Sequence, residues 1–199
     1  MSSVKSYFDK VSKNYTMASA RFFWKRIRAR EAVVVSELLP RMISTTTTAV
    51  DLGSGSGYYA NILYKHRITR LTCIDFSEKM LNQVKNSSFI KIVADIEAFQ
   101  SSEKYDIVLC AGTLEFIKSP KNVFANVSTM LNPGGVFILL CPSKNFLGYF
   151  YSLFHQSHGI KIKLYNHKEL SEMADAAGFR THNIVDVFPF SIVAKFTNA

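Results

Sequence analysis

The segment TAVDLGSGSGYYANIL, Thr48 to Leu63, decides the fold class of this chain. A short apolar run is followed by three glycines at alternate positions, Gly53, Gly55 and Gly57, and then by a helical pattern. Glycine tolerates positive φ and lets backbone approach a ligand closely. The segment therefore predicts a buried strand, a tight turn and a helix whose first amide groups point at whatever binds above the turn.

Strand-like and helix-like segments alternate along the rest of the chain. Apolar runs predict strands at 48–52, 70–75, 89–94, 105–111, 136–141, 179–187 and 190–196. Helical patterns between them indicate a parallel sheet with helices on both faces. Only Phe188 and Pro189 separate the last two strands, which leaves no room for a crossover helix, so this pair must be antiparallel. The sequence thus predicts an α/β fold whose sheet ends in an antiparallel hairpin.

The composition describes an ordinary globular chain with an excess of positive charge. Of its 199 residues, 48% are hydrophobic and 20% charged, and the formal net charge of +9 suits an acidic substrate, an anionic membrane surface or nucleic acid. Three cysteines lie singly in apolar runs, which favours buried reduced thiols over a disulfide framework or a zinc site. The N-terminus is too polar for a secretory signal, and no apolar run approaches the ~20 residues that span a membrane, so we expect a cytoplasmic protein.

Three kinds of ligand site compete for the glycine turn. A phosphate-binding loop carries Lys and then Ser or Thr after its last glycine, whereas Tyr58 and Tyr59 stand here. A dinucleotide-binding turn carries its third glycine one residue later than this chain does. A third kind follows from acids at strand ends: Asp75, about twenty residues beyond the turn, could hold two ribose hydroxyls, and Asp95 could reach the adenine. An adenosine that carries a thioether and no phosphate fits this pattern.

Five segments in this order resemble the motifs of the class I S-adenosylmethionine-dependent methyltransferases: VDLGSGSG, CIDFSEKML, VADIEAF, YDIVLCAGTLEFI and LNPGGVFIL. The resemblance covers residues 50–196, and the N-terminal YFDKVSKNY extends it over nearly the whole chain. It implies a Rossmann-like three-layer sandwich with a seven-stranded, mostly parallel sheet of order 3-2-1-4-5-7-6. It also implies S-adenosylmethionine as the cofactor and S-adenosylhomocysteine (SAH) as the product.

The resemblance further implies contacts between the cofactor and the residues at the strand ends. Asp51 would order the turn and bind the methionine amino group, while the backbone of Gly53 and Gly55 would pack against the methionine portion and the sugar. Asp75 would bind the ribose hydroxyls and Asp95 the adenine amino group. Taken singly, each acid could instead cap a helix or serve only the turn.

Apolar and aromatic positions complete the cofactor site that the resemblance implies. Phe76 and Met80 would flank the adenine, and Cys110 would lie near the reacting sulfonium, although a single Met or Cys is more often part of a core. Tyr15 matches a tyrosine that closes over the cofactor carboxylate. The full implied set is Tyr15, Asp51, Gly53, Ser54, Gly55, Gly57, Asp75, Phe76, Met80, Asp95, Ile96, Cys110 and Ala111.

We expect one domain over residues 1–199, since this length suits a single core. Within it we expect four parts. These are an N-terminal helical cap over 1–43, a cofactor-binding core over 48–141, a substrate lid inserted at 142–166, and a C-terminal helix with the edge hairpin over 167–199.

The lid segment is long for a connection and contains the candidate catalytic residues. His155 and His158 are three residues apart, so one helical face could present either of them as a general base. Each could equally be a partly exposed loop histidine, and as a metal pair they lack a third ligand, so no metal is expected. Many small-molecule members of the family carry His after the Leu-Glu of the fourth motif, where this chain has Phe116.

Aromatic residues of the lid predict an apolar pocket for the methyl acceptor, or else packing of the lid against the sheet. The candidates are Tyr149, Phe150, Tyr151, Phe154 and Tyr165. A second segment, ARFFWKRIRAR over residues 20–30, places five cations beside three aromatic residues. On a helix this composition suits peripheral contact with an anionic membrane or an acidic partner. The alternative is a solvated face on a helix that covers the cofactor cleft.

These patterns together predict a methyltransferase that moves a methyl group to an O, N or C atom of a small hydrophobic or acidic molecule. The positive charge leaves an RNA methyltransferase as an alternative. However, the fourth motif reads CAGTLEF where enzymes that methylate base amino groups carry Asp or Asn, two prolines and an aromatic residue, so nucleic acid is not the expected partner. A second alternative is a non-catalytic protein that keeps the fold as a scaffold or a cofactor sensor.

Overall fold

The computed structural model describes Val4, residues 7–9 and residues 22–198. Its strands are β1 (Thr48–Leu52), β2 (Arg70–Asp75), β3 (Ile90–Val93), β4 (Tyr105–Ala111), β5 (Leu131–Pro142), β6 (Phe179–Val187) and β7 (Ser191–Asn198). They form one sheet in the order β3-β2-β1-β4-β5-β7-β6. The first five strands pair in parallel, and β7 runs antiparallel to both β5 and β6. The predicted sheet and its C-terminal hairpin are confirmed.

The helices of the described chain are α1 (Phe22–Leu38), α2 (Tyr58–Lys65), α3 (Glu78–Leu81), α4 (Pro120–Met130), α5 (Phe146–Ser157) and α6 (His167–Ala176), and a short 3₁₀ helix spans Leu114–Phe116. Polar side chains fix where several of them begin. Ser77 and Asn145 accept hydrogen bonds from backbone amides in the first turns of α3 and α5. Asn166 and Glu169 form a capping box at the start of α6.

The sheet separates two apolar layers, which makes the fold a three-layer sandwich. Along β5, residues 137, 139 and 141 belong to one core cluster, whereas residues 136, 138 and 140 belong to the other, as the two-residue period of a strand requires. The first cluster also contains the apolar faces of α4 and α6. The second contains those of α1 and α2. Both faces of the central strands are therefore buried, which is why they read as continuous apolar runs.

The largest difference from the predicted strand boundaries is at the start of β5, while those of β3 and β7 differ by one or two residues. β5 begins at Leu131 instead of 136, because Leu131 already pairs with Tyr105 and the following NPGG segment forms an irregularity inside the strand. Gly134 accommodates this irregularity with a φ of +76°. The predicted lid, in turn, contains the helix α5. None of the helices in the described ranges combines the length and the apolar character that crossing a membrane requires.

Candidate active site

A cleft opens where the carboxyl ends of the parallel strands meet. Leu52, the last residue of β1, pairs with Ile74 on one side and Cys110 on the other, so three strands end at the same level. The backbone amides of Gly53 and Ser54 both donate to the carbonyl of Ile74, at 2.7 and 2.9 Å. These bonds hold the glycine turn across the end of β2, which is where ligands bind in open α/β sheets.

The glycine turn needs its glycines for backbone conformation and for space. Gly53, Gly55 and Gly57 have φ values of +73°, +54° and +80°, which confirms the predicted positive φ. A Cβ atom on Gly53 would lie 2.2 Å from Oγ1 of Thr113. Since Thr113 follows β4, this close approach packs the turn against the neighbouring strand end and leaves no room for any side chain.

A cavity of about 430 Å³ lies above the turn, within the range of small-molecule sites. Phe76 and Met80 line it on the β2 side, whereas Tyr151 and Phe190 line it on the β5–β7 side. Because β2 and β7 lie on opposite sides of β1 in the sheet, these residues mark opposite ends of the cavity. The cavity can therefore hold a cofactor at one end and a second molecule at the other.

The described part of the N-terminal segment contacts the β2 end of the cavity. The ring of Phe8 lies 6.1 Å from that of Phe76 and 5.2 Å from that of Phe116, centroid to centroid. The hydroxyl of Ser77 donates to Oδ1 of Asp9 at 2.5 Å. Residues far from the turn in sequence thus help to close the cleft.

Asp75, the predicted ribose ligand, lines the cavity and ties the turn to β2. Its Oδ2 accepts a hydrogen bond from the amide of Gly55 at 2.9 Å, and its Oδ1 accepts one from the amide of Ser77 at 2.8 Å. The carboxylate is buried. Each carboxylate oxygen has two lone pairs, so the same group can order the turn and bind a hydroxyl.

Asp51 lies behind the turn and is almost completely buried. Among the described residues, no donor reaches its Oδ2. Burial, followed by repulsion from the Asp75 carboxylate, raises the pKa of Asp51 to about 7. A buried acid in this state is stabilised by an approaching cation, because an opposite charge favours the ionised form.

His155 lies in the β5–β7 end of the cavity among aromatic rings. Its ring centroid is 4.6 Å from that of Tyr151 and 5.8 Å from those of Phe116 and Phe154. Burial, and next the nearby His158, lower the pKa of His155 to about 4, so the imidazole is neutral at pH 7. Its Nδ1 has no hydrogen-bond partner within the described part of the chain. His158 also lines the cavity, but it is exposed and its Nδ1 lies 2.8 Å from the carbonyl of Phe154.

Glu115 is another buried titratable group on the cavity wall. It stands in the 3₁₀ helix that follows β4, and its Oε2 meets no donor from residues 22–198 or from the described N-terminal positions. Burial raises the pKa of Glu115 to about 8, so the carboxyl is protonated at pH 7 and can donate a hydrogen bond.

Glu31 was not found by sequence reasoning, although it lines the cavity from α1. Its two carboxylate oxygens accept hydrogen bonds from the hydroxyls of Tyr59, at 2.9 Å, and Ser191, at 2.5 Å. The sequence did contain a signal for Glu31. Ile27, Glu31 and Val35 follow one another at helical spacing, and all three lie on the buried face of α1. An acid in such an apolar stripe needs buried partners.

Some side chains of the basic segment 20–30 line the cleft, whereas others lie at the surface. Trp24 faces the cavity, with its ring centroid 5.8 Å from that of Tyr151 and 6.0 Å from that of Phe190. Arg28 also lines the cavity and lies over the ring of Tyr58. Lys25, Arg26 and Arg30 are exposed, and Arg21 lies outside the described residues.

Several predicted site residues do not line this cavity, and their assignments stay predictions. Asp95 accepts a bond from the amide of Glu97 at 3.1 Å, as a turn-capping acid does. Tyr165 is buried and donates to the carbonyl of Leu114 at 3.1 Å, whereas Tyr149 is exposed. The other predicted site residues that do not line the cavity are Asp51, Gly57, Ile96 and Cys110. Tyr15 lies outside the described residues. The structure does bring together Gly53, Ser54, Gly55, Asp75, Phe76, Met80, Ala111, Tyr151, Phe154, His155 and His158.

Comparison with known proteins identifies the fold and the domain. Residues 50–139 match the family model of a methyltransferase domain. The ubiquinone biosynthesis O-methyltransferase of Coxiella burnetii (strain Dugway 5J108-111) is 23% identical over 154 residues, which are 69% of this chain and 65% of that protein. The malonyl-[acyl-carrier protein] O-methyltransferase 2 of Ilyobacter polytropus is 30% identical over 95 residues, 45% of this chain and 37% of that protein. The chain thus matches less than two thirds of the length of these relatives.

A solved structure extends the similarity over the whole chain. The magnesium protoporphyrin IX methyltransferase ChlM of Synechocystis PCC 6803, crystallised with bound SAH, superimposes with a TM-score of 0.78 at 15% identity and covers 100% of this chain and 99% of its own. Residues 50–139 therefore form a methyltransferase domain. The strand order, the glycine turn and the superposition on ChlM show the fold of the class I S-adenosylmethionine-dependent methyltransferases. The predicted family and the family's cofactor, S-adenosylmethionine, are confirmed.

The residues around the turn fit this cofactor on structural grounds. The buried Oδ2 of Asp51 and the hydroxyl of Ser54 have no partners among the described residues, and S-adenosylmethionine carries a positive amino group and other polar atoms that can bind them. Asp75 stands at the strand end where ribose hydroxyls are bound in such folds. Phe76 and Met80 supply apolar contacts beside it.

Proposed function

We propose that this protein transfers the methyl group of S-adenosylmethionine to a hydroxyl oxygen of a small, hydrophobic, aromatic molecule. The observation that carries the proposal is a neutral His155 on the wall of the aromatic end of the cavity, whose Nδ1 has no hydrogen-bond partner among the described residues.

At the cofactor end, Asp51 and Asp75 would hold the amino group and the ribose hydroxyls, while Ser54 would bind the methionine portion. When bound, the cofactor supplies an electrophilic methyl group on a sulfonium. The chain's own part is to align an acceptor with that methyl group and to exclude water, since both lower the barrier of an in-line displacement. Ala111 and Gly53, which line the centre of the cavity, separate the two ends.

At the acceptor end, four aromatic rings line the wall, beside polar groups such as Glu31, Glu115 and Ser191. Tyr151 stacks on Phe190 with ring centroids 4.6 Å apart and an interplanar angle of 11°. Trp24 lies across both rings, and Phe154 closes the side towards α5. Such a wall binds flat apolar molecules by area burial and ring contacts.

His155 is the group that favours a hydroxyl acceptor. A neutral imidazole can accept the hydroxyl proton as the oxygen attacks, which is general-base catalysis. Its low pKa makes it a weak base. A hydroxyl bound between His155 and the protonated Glu115 would meet both an acceptor and a donor.

The relatives agree with an oxygen acceptor without identifying it. The two curated relatives described above are named as O-methyltransferases. Their names differ in substrate, and the identities are low. We therefore limit the proposal to oxygen as the attacked atom and to an aromatic, apolar acceptor.

A panel of acceptors tests the proposal. The full chain is incubated with S-adenosylmethionine and either alkyl-substituted phenols or carboxylic acids of the same carbon skeleton, and SAH and methylated product are measured by mass spectrometry. We expect methyl ethers from the phenols. If no phenol yields SAH despite measured cofactor binding, a hydroxyl acceptor is ruled out. If the carboxylic acids yield no SAH either, only the scaffold or sensor alternative remains for this site.

The role of His155 has a test of its own. His155→Gln should lower kcat for a phenol by about 100-fold, because a general base contributes about 10²–10⁴-fold, and should leave cofactor affinity unchanged. His66→Gln is the matched control, since His66 is exposed at the end of α2. Equal activities of the two variants would rule out His155 as the base.

Arg28 supports a second candidate, methyl transfer to a carboxylate oxygen. Its guanidinium lines the cavity near Tyr58 and could pair with an acidic acceptor. A carboxylate needs no base. Methyl esters from the acid half of the panel, with activity retained in His155→Gln and lost in Arg28→Met, would favour this candidate.

A further inference from the structure

Helix α5 carries an outer apolar face that the described chain leaves uncovered. Five of its large side chains are 38–75% exposed and make no part of the cavity wall. We name them the lid face: Phe146, Leu147, Tyr149, Phe150 and Leu153. The sequence suggested that aromatic residues here line the pocket or pack on the sheet, whereas the structure turns these towards solvent.

Close packing on the other side of α5 fixes this orientation. A Cβ on Gly148 would lie 2.0 Å from the carbonyl oxygen of Ser143, so the helix start sits directly on the end of β5. His155, two turns later, is buried against the cavity. Residues seven apart share a helix face, so Gly148 and His155 hold one side of α5 inward and present the lid face outward.

A neighbouring turn extends the apolar surface. The side chain of Asn145 donates to the carbonyl of Pro189 at 3.1 Å, which ties the start of α5 to the β6–β7 turn. That turn exposes Phe188, 69% accessible, and the guanidinium of Arg30 lies 5.9 Å from its ring. Exposed apolar patches of this kind are uncommon on monomeric soluble proteins and mark interaction sites.

Cations dominate the chain segment that carries the lid face. No Asp or Glu occurs between Glu115 and Glu169, and α5 itself contains no Asp, Glu, Lys or Arg. Lys144, just before α5, is paired with Glu169 of α6, and Lys161 and Lys163 follow α5. An uncharged aromatic and aliphatic helix face with lysines at both ends matches the interface of an anionic bilayer, where rings lie at headgroup depth and cations meet phosphate.

We propose that the lid face docks this protein on anionic lipid bilayers, with α5 lying in the plane of the membrane surface. The charge complementarity favours a bilayer over a second copy of this chain, because two copies would bring like-charged lysines together. Docking itself is independent of the proposed function. If that function holds, docking would also bring the acceptor end of the cavity, on the inner side of α5, close to hydrophobic molecules dissolved in the bilayer.

Vesicle flotation tests the docking. The full chain is floated with vesicles of phosphatidylcholine alone or of phosphatidylcholine and phosphatidylglycerol in equal parts, without cofactor or acceptor. We expect binding to the anionic vesicles, weaker binding at high salt and little binding to the neutral ones. Absence of flotation with the anionic vesicles would overturn the proposal.

A double variant and a matched control assign the binding to the lid face. Phe150→Glu with Leu153→Glu should reduce partitioning by about tenfold or more, since both side chains would leave the bilayer and two negative charges would face it. Met42→Glu is the control, because Met42 is 92% exposed and lies outside the lid face. An equal loss in the control would show a charge effect only and overturn the assignment.

The milder double variant Phe150→Ser with Leu153→Ser guards against misfolding. Trp24 is the chain's one tryptophan and contacts Tyr151 of α5, so an unchanged emission spectrum shows that the helix remains seated. Sedimentation without vesicles tests whether the lid face instead binds a second copy of this chain. A dimer that the serine variant dissociates would make the lid face a contact between two copies and overturn membrane docking. Methyl transfer to a soluble acceptor in the absence of vesicles tests the proposed function separately.

Discussion

Three buried acidic or basic groups of the cleft, Asp51, Glu115 and His155, have displaced pKa values with one main cause. Burial penalises the charged form, so it raises the pKa of the two carboxyls and lowers that of the imidazole. In the absence of ligand, Glu115 and His155 are both neutral at pH 7. The cavity is therefore less polar than its residue types suggest, which suits an apolar acceptor.

Glu115 makes the stability of the ligand-free protein depend on pH. The folded state keeps the proton up to about pH 8, whereas the unfolded chain releases it near 4.5. The folded state thus binds more protons between these values, and the free energy of unfolding must fall as pH rises from about 4.5 to 8. Each unit of pKa difference corresponds to about 1.4 kcal/mol, so the contribution of Glu115 to this fall is a few kcal/mol.

Glu115→Gln should remove this part of the pH dependence. In urea unfolding at pH 5, 6.5 and 8, the free energy of unfolding should change less with pH for the variant than for the wild type. The variant should gain most stability relative to the wild type at pH 8. Glu103→Gln, at an exposed loop position, should follow the wild type. Parallel profiles for wild type and Glu115→Gln would show that the carboxyl ionises normally.

Asp51 should make cofactor binding stronger as pH rises, whereas Glu115 makes the fold less stable as pH rises. A positive amino group beside Asp51 favours its ionised form, and its pKa of about 7 in the ligand-free state means that a proton must leave on binding. Titration calorimetry should therefore show affinity for S-adenosylmethionine rising between pH 5.5 and 7.5, with proton release in buffers of different ionisation enthalpy.

Asp51→Asn should weaken that binding by about tenfold or more, because charge-assisted hydrogen bonds contribute about 1.5–3 kcal/mol, and should flatten its pH dependence. Asp175→Asn, exposed on α6, is the control. An affinity that stays constant with pH in the wild type would contradict the assignment of Asp51 to the amino group.

Two constraints require glycine at position 53, the positive φ and the close approach to Thr113, and a pair of variants can distinguish them. Gly53→Ala should destabilise the fold by more than about 1 kcal/mol, because alanine is strained at a φ of +73° and its Cβ would collide with Thr113. Gly134→Ala has a similar φ of +76° but open space around the new Cβ. Thermal unfolding should show a distinctly larger loss for Gly53→Ala, and equal losses would mean that the turn can move away from Thr113.

At the scale of elements, a buried carboxylate joins α1 to its neighbours in addition to the apolar face of the helix. Glu31 joins α1 to Tyr59 of α2 and to Ser191 of β7. The same helix places Trp24 on the acceptor wall. The position of that wall therefore depends on Glu31, although this residue is distant from the glycine turn in sequence.

Glu31→Gln should weaken this anchor. The amide offers one acceptor oxygen in place of two and carries no charge, so both hydroxyls lose a charged acceptor and one of them must turn to accept from the NH2 group. We expect a cost of about 1–3 kcal/mol in the free energy of unfolding. Glu37→Gln, exposed on the same helix, should change the stability little. Chemical unfolding monitored by Trp24 fluorescence measures both, and identical midpoints for the two variants would contradict the anchoring role.

At the scale of the whole molecule, the C-terminal hairpin completes the cavity. β7 runs antiparallel to β5, so its first residue, Ser191, pairs with the last residue of β5, Pro142. The amide of Ser143 donates to the carbonyl of Phe190 at 2.6 Å. A parallel strand at this edge would carry Phe190 to the far end of the sheet. The reversal of direction thus brings residues from the chain's last tenth to the carboxyl ends of the first strands.

Much of the fold and part of the site could be predicted from sequence, because they depend on local signals. The two-residue period and the short link at Phe188 and Pro189 predicted the strands and the hairpin. Alternate glycines predicted a turn with positive φ. Asp75 was predicted from its place at a strand end, and His155 from the length and composition of the lid.

By itself, the sequence determined the elements, the glycine turn and the acids at the strand ends, since each follows from residues close together in the chain. Only the tertiary structure decided that Glu31 meets Ser191, that Trp24 faces the cavity and that Phe150 faces solvent. Periodicity shows which residues share a face of a helix, but it does not show what that face meets. That depends on contacts between elements far apart in sequence, and these form only when the sheet and its two layers assemble.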